Sequence, residues 1–295
     1  MAKYEWTETF LSIEGEAKYT GHPTMYIRFS RCNFACPLFN NTPNNITPDG
    51  YAPLGFEPKD YKTLQDLPLI TKGCDSQYAV HPNFAHMWHK GDENTLADEV
   101  MGLLPHNAWI NPKTGHDIIL SLTGGEPTLR AKTIPALLQT PQFADVKRVL
   151  IETNCSVTLP DMFIQALNDW THGRSGGDRK IIWSNSPKLS SSGEPWKKAI
   201  RPEVAVSQRG VGISEQYFKF VCGPNEHDFN EVEKAMKEYY LARIPKSSEV
   251  YIMPVACTEE QQQEIASKVA HMCMERGYIY CHRVQNSVFG NGVGT

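Results

Sequence analysis

Short apolar runs rich in β-branched and aromatic residues alternate with amphipathic stretches along most of the chain, and this alternation constrains the fold more than any other feature. It marks strand–helix–strand units around a parallel sheet. Strands are predicted at Thr24–Phe29, Asp117–Leu122, Arg148–Thr153, Lys180–Asn185, Tyr217–Cys222 and Glu249–Pro254, with a terminal one at Tyr278–Val284. Helices are predicted at Thr95–Leu104, Ile134–Leu138, Asp161–Trp170, Phe229–Arg243 and Thr258–Arg276. The last has the clearest signal: Thr258 with Gln261 three residues on makes a capping box, and Ile265, Val269 and Met272 recur at helical spacing. A six-unit series of this kind makes a partial barrel or an open doubly wound sheet. Either binds ligands at the carboxyl ends of its strands.

Two stretches interrupt the rhythm. Residues 37–73 are rich in Asn, Pro, Gly and aromatics, with turns marked at Pro43, Pro48 and Pro53. Residues 75–94 carry three histidines and read as a lid or insertion. By length the 295 residues suggest two domains, with a single α/β barrel carrying insertions left open, and no internal repeat is evident.

Charge and hydropathy narrow the function. With 29 Lys+Arg against 33 Asp+Glu, the net charge is -4, and no basic block offers a footprint for nucleic acid. Residues Met1–Phe10 lack the apolar core of a signal peptide, and no run of about 18 apolar residues exists. A soluble, cytoplasmic protein without a membrane partner is expected. In that setting the eight cysteines point to metal or redox chemistry rather than a disulfide framework.

Cys32-Asn33-Phe34-Ala35-Cys36 follows the first predicted strand, and Gly73-Cys74-Asp75-Ser76 follows at a distance. Three thiolates can hold three irons of a [4Fe–4S] cluster and leave the fourth open to a ligand. On spacing alone, ordinary thiols and a zinc site stay open as well. The second motif, Thr123-Gly124-Gly125-Glu126-Pro127, lies at the end of another strand. Paired glycines there let a ligand approach the backbone, Glu126 can accept hydrogen bonds from an ammonium group, and Pro127 turns the chain away.

A cysteine loop after the first strand combined with Gly-Gly-Glu-Pro resembles the radical S-adenosylmethionine superfamily. Phe10-Leu11-Ser12-Ile13-Glu14-Gly15-Glu16, Gly21-x-Pro23, Tyr26-Ile27-Arg28-Phe29, Cys74-Asp75-Ser76, Glu152-Thr153-Asn154, Ser186-Pro187-Lys188-Leu189-Ser190 and Phe289-Gly290-Asn291 are, more narrowly, similar to the 7-carboxy-7-deazaguanine synthase family. The resemblance runs from about residue 5 to the end, with the motifs in the family order.

That resemblance implies a single domain, 1–295, built as a partial (β/α)6 TIM-like barrel with insertions at about 37–73 and 77–115, and a lyase of 7-deazaguanine and queuosine biosynthesis. A reduced [4Fe–4S] cluster cleaves S-adenosylmethionine, and the 5′-deoxyadenosyl radical abstracts hydrogen from 6-carboxy-5,6,7,8-tetrahydropterin. Ring contraction with loss of ammonia gives 7-carboxy-7-deazaguanine. By the same resemblance Cys32, Cys36 and Cys74 ligate the cluster, while Gly124, Gly125, Glu126, Thr153, Asn154, Ser186 and Lys188 contact S-adenosylmethionine. Arg28 and the Ile13-Glu14-Gly15-Glu16 turn bind the pterin, with Glu16 foremost. Ser76, standing where the family has Thr, meets Mg2+, and the Thr295 carboxylate reaches substrate or its magnesium shell. A homodimer and an electron donor such as flavodoxin are implied too.

The chain departs from the family in places. Phe39 stands where a compact loop would carry its third thiol, Glu14 replaces the usual Gln, Ala17 the usual Gly, and Gly292-Val293-Gly294 occupies a place that often holds arginines. Cys155, Cys222, Cys257, Cys273 and Cys281 occur singly and read as ordinary thiols. The ten histidines form no ligand motif; His22 and His282 are read as packing or hydrogen-bonding residues. A glycyl-radical-type activating enzyme and a degenerate, non-catalytic binding member are the alternatives.

Overall fold

The longest strand is one that the alternation does not single out. In the computed structural model, which describes residues 4–173, 178–290 and 292–294, β1 (Tyr4–Ile13) runs antiparallel to β2 (Pro23–Phe29). The register slips between Trp6 and Glu8. Such a bulge moves later side chains to the other face: Tyr4 and Trp6 enter the main core, whereas Glu8 and Phe10 turn to Arg28. A strand that changes face midway has no period of two to read.

The short β3 (His89–Gly91) pairs with the outer edge of β1. On the other side follow β4 (Ile119–Gly124), β5 (Arg148–Thr153), β6 (Lys180–Asn185), β7 (Ser214–Cys222), β8 (Val250–Pro254) and β9 (Ile279–Tyr280), all parallel to β2. The nine strands lie in the order β3-β1-β2-β4-β5-β6-β7-β8-β9, and among the described residues no pairing joins the two ends. Because the parallel strands advance in one direction, there is no switch point, and the doubly wound alternative is excluded. Right-handed crossovers then deliver the connecting helices to one face.

The helices are α1 (Gln77–Val80), α2 (Glu93–Leu103), α3 (Ile134–Leu138), α4 (Asp161–His172), α5 (Trp196–Ala199), α6 (Pro202–Gln208), α7 (Glu226–Leu241), α8 (Glu259–Arg276) and α9 (Val284–Phe289). Leu122, Ile151, Trp183 and Phe220 from the sheet pack with Leu96 of α2, Phe163 of α4, Phe229 of α7 and Val269 of α8 in one large core. Ile119, Leu150, Ile182, Tyr217 and Tyr251, one position out of phase, form a smaller cluster on the opposite face. The capping box at Thr258 is present, with Gly277 in the left-handed conformation ending α8.

Tyr278–Val284 is not a strand throughout: only Ile279 and Tyr280 pair, and Val284 already opens α9. Residues 37–73 form short 3-10 turns without a strand, fastened to the next segment by Leu64, Phe84, Met87 and Trp88. Among the described residues no helix is long and apolar enough to cross a membrane.

Candidate functional site

The second face of the sheet changes character along the strands. Beyond the small apolar cluster, the next inward position is polar on five strands in succession: Arg28 on β2, Thr123 on β4, Glu152 on β5, Ser184 on β6 and Lys219 on β7. Register sets the first four, since Arg28 lies beside Thr123 and Glu152 beside Ser184; Tyr217 lies beside Ser184, so Lys219 enters one inward position further along β7. These residues line a cavity of about 510 Å³ at the carboxyl ends of the strands. A second cavity, of about 580 Å³, lies at the opposite end around His22, Asp117 and Arg148. Among the described residues no cysteine lines that second cavity.

Three thiols reach the first cavity. Cys32 and Cys36 come from the loop after β2, and Cys74 arrives at the far end of the 37–73 excursion. Gly73 donates its N–H to Phe39 O at 2.6 Å, closing the excursion at a neck and bringing Cys74 back to the loop. Burial pushes the Cys32 thiol up to about 12 and the Cys74 thiol up to about 11, and holds Cys36 well above its usual range. Cys32 and Cys36 also feel others of the three, Cys74 feels the Asp75 carboxylate, and Lys188 acts in the opposite sense on all of them. Thiols so burdened are poor free nucleophiles and ionise when a metal takes up their charge. Among the described residues no three His, Cys, Asp or Glu side chains gather closely enough for one metal ion. A four-iron cluster makes a different demand, because each thiolate goes to its own iron.

Gly124 and Gly125 are required by chain, not ligand. A Cβ on Gly124, at φ 132, would lie 2.1 Å from Phe29 O, and one on Gly125 would lie 2.2 Å from Arg31 O. Gly125 N–H and Glu126 N–H donate to Phe29 O and Arg31 O at 3.1 and 3.0 Å. The motif therefore fastens the end of β4 to the strand that launches Cys32.

Glu126 takes a different part from the ammonium acceptor expected of it. It is fully buried, does not line the cavity, and accepts from Thr128 N, Thr128 Oγ1, Thr153 Oγ1 and Asn154 N at 3.0, 2.5, 2.8 and 2.7 Å. Four donors fill a carboxylate. Burial raises its pKa, and these bonds oppose the rise. The clasp places Asn154, whose Nδ2 points at Cys32 Sγ at 3.8 Å.

At the other end of the cavity, Arg28 Nε is bound to Glu8 Oε1 at 2.7 Å, and Nη1 reaches Ser76 Oγ at 3.3 Å. Arg28 is thus a paired, half-buried cation rather than a surface one. Glu14 is buried and accepts from Tyr26 Oη and Glu16 N at 3.1 and 3.3 Å. Burial, then the facing Glu152 carboxylate, raises its pKa well above the usual range. Glu16 is paired with Lys219 and accepts from Gln285 Nε2 at 3.3 Å. Burial opposes its ionisation, but Lys219 and Arg283 hold its pKa below the usual value.

Of the residues expected at the site, Glu14, Glu16, Arg28, Ser76, Thr153, Asn154, Ser186 and Lys188 line this cavity with the three thiols and the two glycines. Ile13 and Gly15 do not; Gly15 is the seat for Gln285, whose Cβ is 3.0 Å from where a Cβ would be. Thr295, like Asn291 of the terminal motif, lies outside the described residues.

Lys219 and Arg283 are cavity residues that sequence reasoning misses. Arg283 is buried, donates to Asp75 Oδ2 at 2.8 Å and to Ala256 O, and its Nε meets no hydrogen-bond partner among the described residues. Cys257 also lines the cavity, with its Sγ 3.8 Å from Gly73 O. His22 belongs to the second cavity and His282 to a hydrogen-bonded group with Tyr280, Gln262 and Ser287.

No family model matches the chain. Among curated proteins, a 7-carboxy-7-deazaguanine synthase of Rhodopirellula baltica is 25% identical over 299 residues, covering 98% of this chain and 88% of the relative. The chain is a relative of the 7-carboxy-7-deazaguanine synthases. The resemblance carried by its motifs is therefore matched over nearly its whole length. A crystal structure of QueE from Escherichia coli superposes with a TM-score of 0.49 at 15% identity, over 95% of this chain and 94% of that one.

Proposed function

We propose that this protein converts 6-carboxy-5,6,7,8-tetrahydropterin to 7-carboxy-7-deazaguanine and ammonia, as a radical S-adenosylmethionine lyase of 7-deazapurine biosynthesis. The observation that carries this reading is that Cys32, Cys36 and Cys74 open into the same cavity as Arg28, Glu14 and Glu16, in a chain related to a synthase of that name. The one-directional strand order and one-sided helices support a partial (β/α)6 barrel, 1–295, with the 37–73 and 77–115 stretches as insertions. The working protein is taken to be a cytoplasmic homodimer supplied with electrons by a flavodoxin-like donor.

The donor set suits a [4Fe–4S] cluster: three thiols, Cys36 buried and Cys32 and Cys74 half-buried, Lys188 to balance their charge, and an amide N–H beside Cys32. When bound, such a cluster supplies the electron that cleaves S-adenosylmethionine. The chain's part is to hold and shield. Gly124 and Gly125 expose backbone at the cavity wall, and Lys188, steadied by Ser186 Oγ at 3.1 Å, offers a point charge to a carboxylate. Arg28, anchored through Nε, presents its remaining N–H groups to the pterin carboxylate. Glu14, where burial favours the protonated form, and Glu16, where Lys219 favours the ionised form, match a pterin edge that carries both donors and acceptors. Leu67, Leu69 and Ile70 of the insertion, with Val293, cover the cavity with apolar surface.

Magnesium fits less well. Ser76 Oγ already meets Arg28 and Asp75, and Asp75 in turn meets Arg283, so two guanidinium groups flank the place a cation would take. No step is assigned to it.

Anaerobic reconstitution with iron, sulfide, reductant, S-adenosylmethionine and 6-carboxytetrahydropterin should yield 7-carboxy-7-deazaguanine by mass. An intact cluster that cleaves S-adenosylmethionine without that product would overturn the substrate assignment.

A further inference from the structure

Residues 192–199 run along the cysteine loop and hold it by its backbone. Leu38 N–H donates to Ser192 O at 3.1 Å, and Gly193, at φ 86, lies so close that a Cβ there would be 2.9 Å from Leu38 Cγ. Cys36 occupies the left-handed region at φ 46, which turns two successive N–H groups the same way. Both go to one carboxylate oxygen: Ala35 N and Cys36 N reach Glu194 Oε1 at 2.8 and 3.1 Å. Glu194 is buried, and its other oxygen meets Lys198 Nζ at 3.2 Å. The Lys198 ammonium in turn stands 4.7 Å from the centroid of Phe34, inside the Cys32–Cys36 loop.

We propose that Glu194 is a positioning residue of the cysteine loop and that, with Lys198, it sets the reduction potential of the iron–sulfur cluster. The inference rests on the cluster assignment under Proposed function. Its physical basis is twofold. A carboxylate one hydrogen bond from the Cys36 backbone places a negative charge beside the metal group, which disfavours the more negative, reduced cluster. It also engages two N–H groups that would otherwise be free to donate to cluster sulfur, and such donation favours reduction. Lys198 opposes the first effect.

Glu194→Gln keeps an acceptor oxygen for the two N–H groups and removes the charge; Lys198→Met removes the counter-charge. Both variants, reconstituted as full-length protein, are followed by iron content and by redox titration of the reduced-cluster electron paramagnetic resonance signal. The midpoint potential should move positive in Glu194→Gln and negative in Lys198→Met, with iron content near wild type. Opposite signs are not what loosened packing would give. Unchanged potentials, or shifts in the same direction, overturn the proposal. Should Glu194→Gln fail to assemble a cluster, the sign of the Lys198→Met shift decides. Absence of a four-iron signal in the wild type would instead defeat the cluster assignment itself.

Discussion

Gly73 donates its backbone N–H to the carbonyl of Phe39 at 2.6 Å, so the excursion between them leaves and rejoins the cysteine loop at a single neck. Closing a longer loop adds only about 0.6 kcal/mol per doubling of its length, so an insertion here is thermodynamically mild provided the neck holds. The third thiol, displaced in sequence, is thereby restored in space.

The neck depends on a glycine. Gly73 has φ 73, and a Cβ would lie 2.5 Å from Ala52 Cβ. Gly73→Ala should cost at least about 1–2 kcal/mol from the left-handed conformation alone, more with the contact, and should displace Cys74. The expected outcome is a lowered melting temperature together with substoichiometric iron after reconstitution. Full iron loading would show that Cys74 needs no such neck.

Glu126 joins the ends of β4 and β5, and its carboxylate is the acceptor for the buried N–H groups of Thr128 and Asn154. Glu126→Ala strands both, at about 1–3 kcal/mol each. Denaturant unfolding should show a loss of about 3 kcal/mol or more, with Glu126→Gln, which keeps one oxygen, in between. A stability loss in Glu126→Ala below about 1 kcal/mol would deny the clasp.

The parts of this architecture that are legible in the sequence are those governed by local pattern. Arg148–Thr153 and Lys180–Asn185 are short apolar runs with turns around them, and the structure keeps both bounds. Cys74 is legible only through Asp75-Ser76, because spacing points elsewhere. β1 is hidden by the bulge after Trp6. Lys219 and Arg283 carry no local signal at all: a lone cation in a strand, or after a Cys-His pair, becomes a cavity residue only through sheet register and the docking of α9. The glycines of the Gly-Gly-Glu-Pro motif are readable as a close approach, but what approaches them is backbone from the neighbouring strand.

Glu14 gives a pH dependence of definite sign. Burial raises its pKa in the folded chain above the ordinary 4.5, so the folded state holds a proton that the unfolded chain releases. The stabilisation is fully present below pH 4.5 and is lost as pH rises from there through the raised pKa. Glu16, with its lowered pKa, acts in the opposite window: its contribution is present above 4.5 and lost as pH falls through the lowered value. Glu14→Gln should therefore flatten the decline in melting temperature on the alkaline side and leave the acid limb alone. An identical decline in the variant would mean that another group supplies it.

The Lys219–Glu16 pair joins β7 to the turn after β1, with both side chains largely out of solvent. Removing one partner leaves a buried charge uncompensated, typically at about 3–5 kcal/mol, whereas replacing both with neutral groups is often tolerated. Lys219→Met and Glu16→Gln should each destabilise the fold, and the double variant should be more stable than Lys219→Met alone. A second reason for destabilisation in Lys219→Met is that Glu14 and Glu152 face the same space, so losing this cation leaves three carboxyl groups together with Arg283 as the remaining counter-charge on Glu16. Activity should separate from stability. If Glu16 meets the pterin as an ionised acceptor, the double variant recovers its melting temperature yet keeps a raised pterin KM, with S-adenosylmethionine cleavage retained. A double variant with wild-type KM would reduce the pair to a structural tie between β7 and the β1 turn.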